Sequence, residues 1–394
     1  MKLTFCYRHI APYHHARLVA VQHLAGVTVV EYGDVERMAF DEFEGARPYA
    51  TVRVKAPENA SMALSHELDK TSPDVLLLPG WGYSYTLTAL RWALENAVPV
   101  VVISDSYELP QSSRWKEALK SRIVSLFSSG LVAGRRSREY LVKLGMQKDR
   151  IFEGCDVVDN KHFEEGAEAA RGNAVRLREK LGLPQKFFLA VNRLAPEKNL
   201  LFLLQAYAGY RRAGAPENWQ LILVGAGKLK AEILRCMAEL GIEPHVMLAG
   251  SKNYEELPSY YGLASAFILA SALEPWGLVV NEAMSAGLPV LVSDRCGCVA
   301  ELVEEGSNGH TFDPYDIEKL TGHMLKMAGG EYDLTAMADA CRKIISRWTV
   351  ELCAENTRRA AEIALGVPRA RTKIIDSLIL MAANKKLSRN IHRC

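Results

Sequence analysis

The hydrophobic pattern repeats one motif along the chain: a short β-rich apolar run, a turn, then a longer amphipathic stretch. In the first half the runs are KLTFCY (2–7), VTVVEYG (27–33), DVLLLPG (74–80), VPVVVISD (98–105) and SGLVAG (129–134). In the second half they are KFFLAVNRL (186–194), WQLILVGAG (219–227), HVMLAG (245–250), SAFILAS (265–271) and LPVLVSD (288–294). Apolar runs bounded by polar residues and followed by helix-length segments predict βαβ units around parallel sheets whose strands are buried on both faces. Between the two sets lies the polar segment 150–187, whose helix AVRLREKLG ends at Gly182 ahead of Pro184, a helix-stop signal. After about residue 330 the strand runs cease. DLTAMADACRKIISRW (333–348) and TVELCAENTRRAAEIAL (349–365) read as helices, the second stopped by Gly366 and Pro368. The predicted domains are 1–170, 171–345, and a terminal segment 346–394.

The chain has 394 residues, more than a single hydrophobic core commonly serves, which agrees with two domains. It is 49% hydrophobic and 24% charged, a globular composition that excludes disordered, collagenous and coiled-coil chains. With 48 Lys+Arg against 46 Asp+Glu no global field draws it to nucleic acid, so no nucleic-acid partner is expected. Eight sparse cysteines lack metal or redox spacing, Cys296 and Cys298 being C-x-C, and read as reduced thiols of a cytoplasmic protein. MKLTFCYRH is too short an apolar run for a signal peptide. The uncharged run 257–273 contains Pro258 and reads as helix plus buried strand, so no membrane span is expected. The tail Arg369–Cys394 sets seven Lys/Arg against one Asp around the apolar stretch Ile374–Ala383. That composition suits peripheral contact with an anionic membrane, or a helix packed on the first domain.

Two doubly wound domains leave a cleft at the carboxyl ends of their strands, where ligands of such sheets bind. After the first strand of the second set, NRLAPEKNL (192–200) carries Arg193 and Lys198 beside a helix start, which is an anion site or a solvated loop. WQLILVGAG ends in Gly225 and Gly227, which permit close backbone approach to a ligand or simply form a tight turn. Lys230 stands where a dinucleotide fingerprint has its third glycine, which argues against NAD. The densest signal is LEPWGLVVNEAMSAGLPVLVSD (273–294): Glu274 after a strand, the turn Pro275-Trp276-Gly277, and a helix from Leu278 that carries Glu282. Free amides near Gly277 and Leu278 can then meet phosphate while two carboxylates face one ligand.

NRLAPEKN, VGAGKL, EPWGLVVNE, AMSAGLPVLVSD and GCVAELVEEGSNGHTFDP together resemble the nucleotide-binding domain of retaining glycosyltransferases of family 4, whose fold is GT-B. The resemblance implies two Rossmann-like α/β domains facing across a cleft, with ISRWTVELCAENTRRAAE (345–362) as the helix that crosses back to the first. It implies that Arg193 and Lys198 hold the donor diphosphate, Glu282 the ribose hydroxyls and Glu274 the transferred sugar. Backbone amides of Trp276, Gly277 and Leu278 would line the sugar-phosphate pocket, and AGSKN (249–253), with Ser251 and Lys252, would meet the base. The implied reaction is retaining transfer of a sugar from a nucleotide-diphosphate donor to a saccharide or glycolipid hydroxyl. No D-x-D is present to hold a metal, so the cations take that role and no cofactor is expected.

The first domain departs from the family, carrying Pro12, Tyr13, His14 and His15 where many relatives have a Gly-rich loop. His14 and His15 are read as acceptor contacts or polar caps. PGWGYSY (79–85), with Trp81 and Tyr83, and SDSYE (104–108), with Asp105 in a catalytic or strand-capping place, also follow strands. Two rivals share the fold: a nucleotide-sugar-binding protein without activity and a non-hydrolysing nucleotide-sugar epimerase.

Overall fold

In the computed structural model the described residues are 1–32, 45–54, 60–108, 113–214 and 217–368. The tail Arg369–Cys394, with its expected membrane contact, lies outside them. The chain divides into two units, Met1–Val157 with the chain from Val350 onward, and Val158–Thr349.

The first unit is built on β1 (Lys2–Tyr7), β2 (Gly26–Tyr32), β3 (Ala50–Val54), β4 (Val75–Pro79), β5 (Val100–Ser104), β6 (Ser129–Val132) and β7 (Ile151–Glu153). All pair in parallel, in the order β3-β2-β1-β4-β5-β6-β7. Its helices are α1 (Pro12–Gln22), α2 (Ala60–Thr71), α3 (Ser84–Glu95), α4 (Arg114–Val124) and α5 (Arg135–Lys143).

The second unit carries β8 (Phe187–Val191), β9 (Gln220–Val224), β10 (Val246–Gly250), β11 (Ala266–Leu269), β12 (Val290–Ser293) and β13 (Gly309–Phe312), also all parallel. Their order, β10-β9-β8-β11-β12-β13, is that of the dinucleotide-binding doubly wound sheet. Around them run α6 (Asn160–Gly172), α7 (Ala174–Leu181), α8 (Leu200–Arg212), α9 (Lys230–Leu240), α10 (Leu257–Leu263), α11 (Leu278–Ser285), α12 (Val299–Leu302), α13 (Ile317–Ala328) and α14 (Leu334–Ile345). Every residue of β8, β11 and β12 is buried, as strands covered on both faces require. Phe188, Leu221, Ile268, Leu291 and Phe312 carry that core onto α8 and α13.

The expected crossing helix is α15 (Val350–Gly366), and it packs on the first sheet: Ser129 donates to the Ala360 carbonyl at 2.7 Å and Asn356 to that of Glu153 at 2.9 Å. The boundary between the units falls at Val157/Val158 rather than at the expected 170/171, because α6 packs on the second unit. Glycines make that packing close. A Cβ on Gly166 would lie 2.5 Å from Pro258 of α10, and one on Gly262 would lie 2.6 Å from the Ala167 carbonyl oxygen. Asn160 at the start of α6 donates to the carbonyls of Ile345 and Trp348, both at 3.1 Å, and accepts from Ser285 at 3.0 Å. A composition shift cannot reveal such contacts.

Three strands that the apolar runs did not reveal, β3, β7 and β13, all lie at sheet edges, where one side is open and fewer positions need apolar residues.

Candidate active site

A doubly wound sheet binds ligands where its strand order reverses, and in the second unit that point lies between β8 and β11. The loops after these two strands carry Arg193, Lys198 and Glu274. The first loop is fastened to its neighbour by backbone hydrogen bonds, Asn192 to the Val224 carbonyl at 2.9 Å and Leu194 to that of Ala226 at 2.8 Å. Gly225 and Gly227 make this approach possible. Their φ values are +141° and +159°, and added Cβ atoms would lie 1.8 Å from the Asn192 oxygen and 2.4 Å from the Leu194 oxygen. The close approach that these glycines permit is thus, first of all, to the chain's own backbone.

Lys198 ends a short 3₁₀ turn, Pro196–Lys198, that precedes α8. The Ala272 amide donates to the Glu197 carbonyl at 2.9 Å, which joins this turn to the loop after β11. Across that junction the Lys198 ammonium is paired with the Glu274 carboxylate, and both side chains are largely buried. Ser271 also donates to Glu274, at 3.1 Å. Arg193 is exposed, and its guanidinium donates to Glu197 at 2.8 Å.

The turn after Glu274 is held from below. Gly297 donates to the Glu274 carbonyl at 2.9 Å and Cys298 to that of Trp276 at 3.2 Å. A Cβ on Gly297 would fall 1.8 Å from the Pro275 oxygen, so only glycine fits there. The Trp276 indole turns inward, donating to Asn281 at 3.0 Å and lying 5.5 Å from the Trp348 ring, which leaves its backbone as the part of it that a ligand can meet. Gly277, with φ +107°, starts α11, whose first N–H groups have no partner within the helix.

Glu282 stands in the second turn of α11 and accepts a hydrogen bond from the Tyr261 hydroxyl at 2.6 Å. Burial pushes its carboxyl up to about 7, against the opposing effect of Tyr261. The partner that the structure gives Glu282 is therefore Tyr261 of α10, which the sequence reading did not single out. Ser251 lies exposed after β10, and the Lys252 ammonium sits 5.5 Å from the centre of the Tyr260 ring. Asn192 is a further residue that sequence reasoning missed: it is buried, and both side-chain amide atoms lack a hydrogen-bond partner.

In the first unit the strand order reverses between β1 and β4. The loop after β1 is pinned by Glu31, which accepts from the Ile10 amide at 3.1 Å. His14 accepts from the Ala11 amide at 3.2 Å and stacks on Tyr7 at 4.4 Å, so it caps α1. Burial, with Arg17 and His9 nearby, holds its imidazole well below the ordinary value. His15 pairs with the Tyr49 hydroxyl at 3.0 Å. After β4, Trp81 packs against the core and Tyr83 is exposed, stacked on Tyr85 at 5.6 Å. Asp105 is exposed after β5, and its carbonyl accepts from Ser137 at 3.0 Å.

Residues 175–344 match the family described as glycosyl transferases group 1, the family to which the motifs of 185–315 point. Among curated relatives, alpha-D-kanosaminyltransferase of Streptomyces kanamyceticus is 26% identical over 47% of this chain and 47% of its own. The GDP-mannose-dependent alpha-(1-6)-phosphatidylinositol monomannoside mannosyltransferase of Mycolicibacterium smegmatis is 29% identical over 54% of this chain and 56% of its own. The chain thus spans about half the length of the curated relatives it matches. The crystal structure of Anabaena HepE in complex with UDP superposes with a TM-score of 0.69 at 18% identity, covering 91% of this chain and 99% of that one. The fold is GT-B, with two Rossmann-like parallel-sheet units.

Proposed function

We propose that this protein transfers a sugar, with retention and without a metal, from a nucleotide-diphosphate sugar to a hydroxyl of a saccharide or glycolipid. The observation that carries the reading is the meeting of Lys198, Glu274 and the start of α11, with Arg193 beside them, at the strand-order reversal of β8 and β11. Breaking a sugar-phosphate bond puts negative charge on the departing diphosphate. Two cations and a helix N-terminus placed beforehand stabilise that charge as it develops. In this reading Glu274 accepts hydrogen bonds from the transferred sugar, Glu282 takes the ribose hydroxyls, and Ser251 and Lys252 meet the base. Acceptor contacts are assigned, within the first unit, to His15, Trp81, Tyr83 and Asp105.

The proton follows the charge. With no carboxylate assigned as a base opposite the leaving group, the departing phosphate takes the acceptor proton, and the acceptor must approach from the same face. That geometry gives retention. The names of the relatives differ in sugar, so a thermal-shift screen of UDP, GDP and ADP sugars comes first; a ligand at ~100 times its dissociation constant stabilises by ~2.7 kcal/mol. Proton NMR of the product made from an α donor in EDTA then tests the chemistry. An α linkage at an undiminished rate is expected. A β linkage, a rate restored by Mg²⁺, or an epimerised donor formed without acceptor would refute the proposal.

A further inference from the structure

At the edge of the second sheet, two strands away from β11, lies a cluster that the transfer reaction does not use. Glu305 precedes β13, His310 lies on β13 and His323 on α13. Each offers one donor atom, and the three atoms lie within 4.8 Å of one another. Glu305 is held in place by the Thr311 amide at 2.9 Å and hydroxyl at 3.1 Å, both on one carboxylate oxygen. The other oxygen lies 2.8 Å from His310 Nδ1. His323 Nδ1 is 2.9 Å from the Tyr332 hydroxyl, and the two imidazoles stack at 4.5 Å.

This leaves the Nε2 atoms of His310 and His323, both buried and both without a hydrogen-bond partner. A buried polar atom left unpaired is costly, and two in one cluster ask for a ligand that satisfies both. A carboxylate with two imidazoles is a donor set suited to a borderline divalent ion. Ligands of a tetrahedral ion with bonds of about 2.0–2.1 Å stand roughly 3.3 Å apart. The rings now lie 21° from parallel, and the lone pair of a ring nitrogen lies in its ring plane, so binding one ion turns both imidazoles out of the stack and draws Glu305 off His310 Nδ1.

We propose that Glu305, His310 and His323 bind a divalent transition-metal ion of the Zn²⁺ type, with solvent completing its coordination. Bound there, the ion clips edge strand β13 to helix α13. The site is structural and independent of sugar transfer, so it stands or falls apart from that reading.

The test uses the full chain washed with EDTA, titrated with Zn²⁺ by calorimetry and with Co²⁺ by visible absorption. His310→Phe and His323→Phe keep the ring stack, and Glu305→Gln, at an exposed position, keeps the fold should either Phe variant fail to fold. The expected result is one Zn²⁺ per chain in the micromolar range or tighter, a higher Tm, and binding at least 10-fold weaker in the variants that fold. Absence of saturable one-to-one binding, unchanged affinity in Glu305→Gln or a folded Phe variant, or a thiolate charge-transfer band with Co²⁺ would overturn it.

Discussion

The Lys198 ammonium is held by the Glu274 carboxylate, joining the loops that follow β8 and β11. On the proposed reading the donor diphosphate competes with Glu274 for this cation, so Lys198 is a structural tie as well as the proposed phosphate ligand. Lys198→Ala leaves a largely buried carboxylate without its counter-ion and is expected to lower the melting temperature. Removing one partner of a buried pair costs up to about 3–5 kcal/mol, and the residual exposure here places the effect below that ceiling. The double variant Lys198→Ala/Glu274→Ala should be less destabilised than the two single losses added together. Additive losses in thermal melts would show that the pair is not coupled.

Arg193 differs because its guanidinium is exposed and, among the described residues, is paired with Glu197, four residues on. Such surface pairs contribute little to stability. Arg193→Ala should leave the melting temperature nearly unchanged while lowering kcat on the order of 10²- to 10³-fold, as loss of one preorganised electrostatic group does. Unchanged turnover would remove Arg193 from the phosphate site.

Glu282 gives a pH signature. Its carboxyl is raised on folding from 4.5 to about 7, so the folded chain binds the proton more tightly than the unfolded chain. The stability this contributes is fully present below about pH 4.5 and is lost as pH rises through about 7. Nucleotide affinity should move the other way, rising between pH 6 and 8 as the carboxylate forms and accepts charge-assisted hydrogen bonds. Tyr261→Phe removes the hydrogen bond that favours the charged form and should shift the inflection upward; Glu282→Gln should abolish it and weaken binding of the free nucleoside diphosphate. Isothermal titration across this range decides the matter, and a flat profile in the wild type would reject the ribose role.

Gly225 makes the sharpest packing prediction. Gly225→Ala places a methyl 1.8 Å from the Asn192 oxygen at a φ of +141°, so the β8 and β9 loops must separate. Gly322→Ala, in α13, meets nothing within 4 Å and serves as a control. The first should unfold at much lower denaturant than the second, and equal midpoints would contradict the packing described.

The sequence alone determined the two parallel sheets, because strands buried on both faces must be written as short continuous apolar runs. It also determined the stop of α7 at Gly182, which adopts the left-handed conformation expected of a C-cap glycine, and the placing of Arg193, Lys198, Glu274 and Glu282 after or beside particular strands. Side-chain partners were decided only by tertiary structure. Lys198 and Glu274 are 76 positions apart, and Tyr261 and Glu282 are 21, distances over which no local periodicity carries information. The same holds for Gly225 and Gly227, whose conformations answer to a neighbouring loop, and for α6, which joins the second unit through Gly166 and Gly262. His14 illustrates the rule at short range: cap or ligand was open in the sequence, and the Ala11 amide and Tyr7 ring, brought together by the turn after β1, made it a cap.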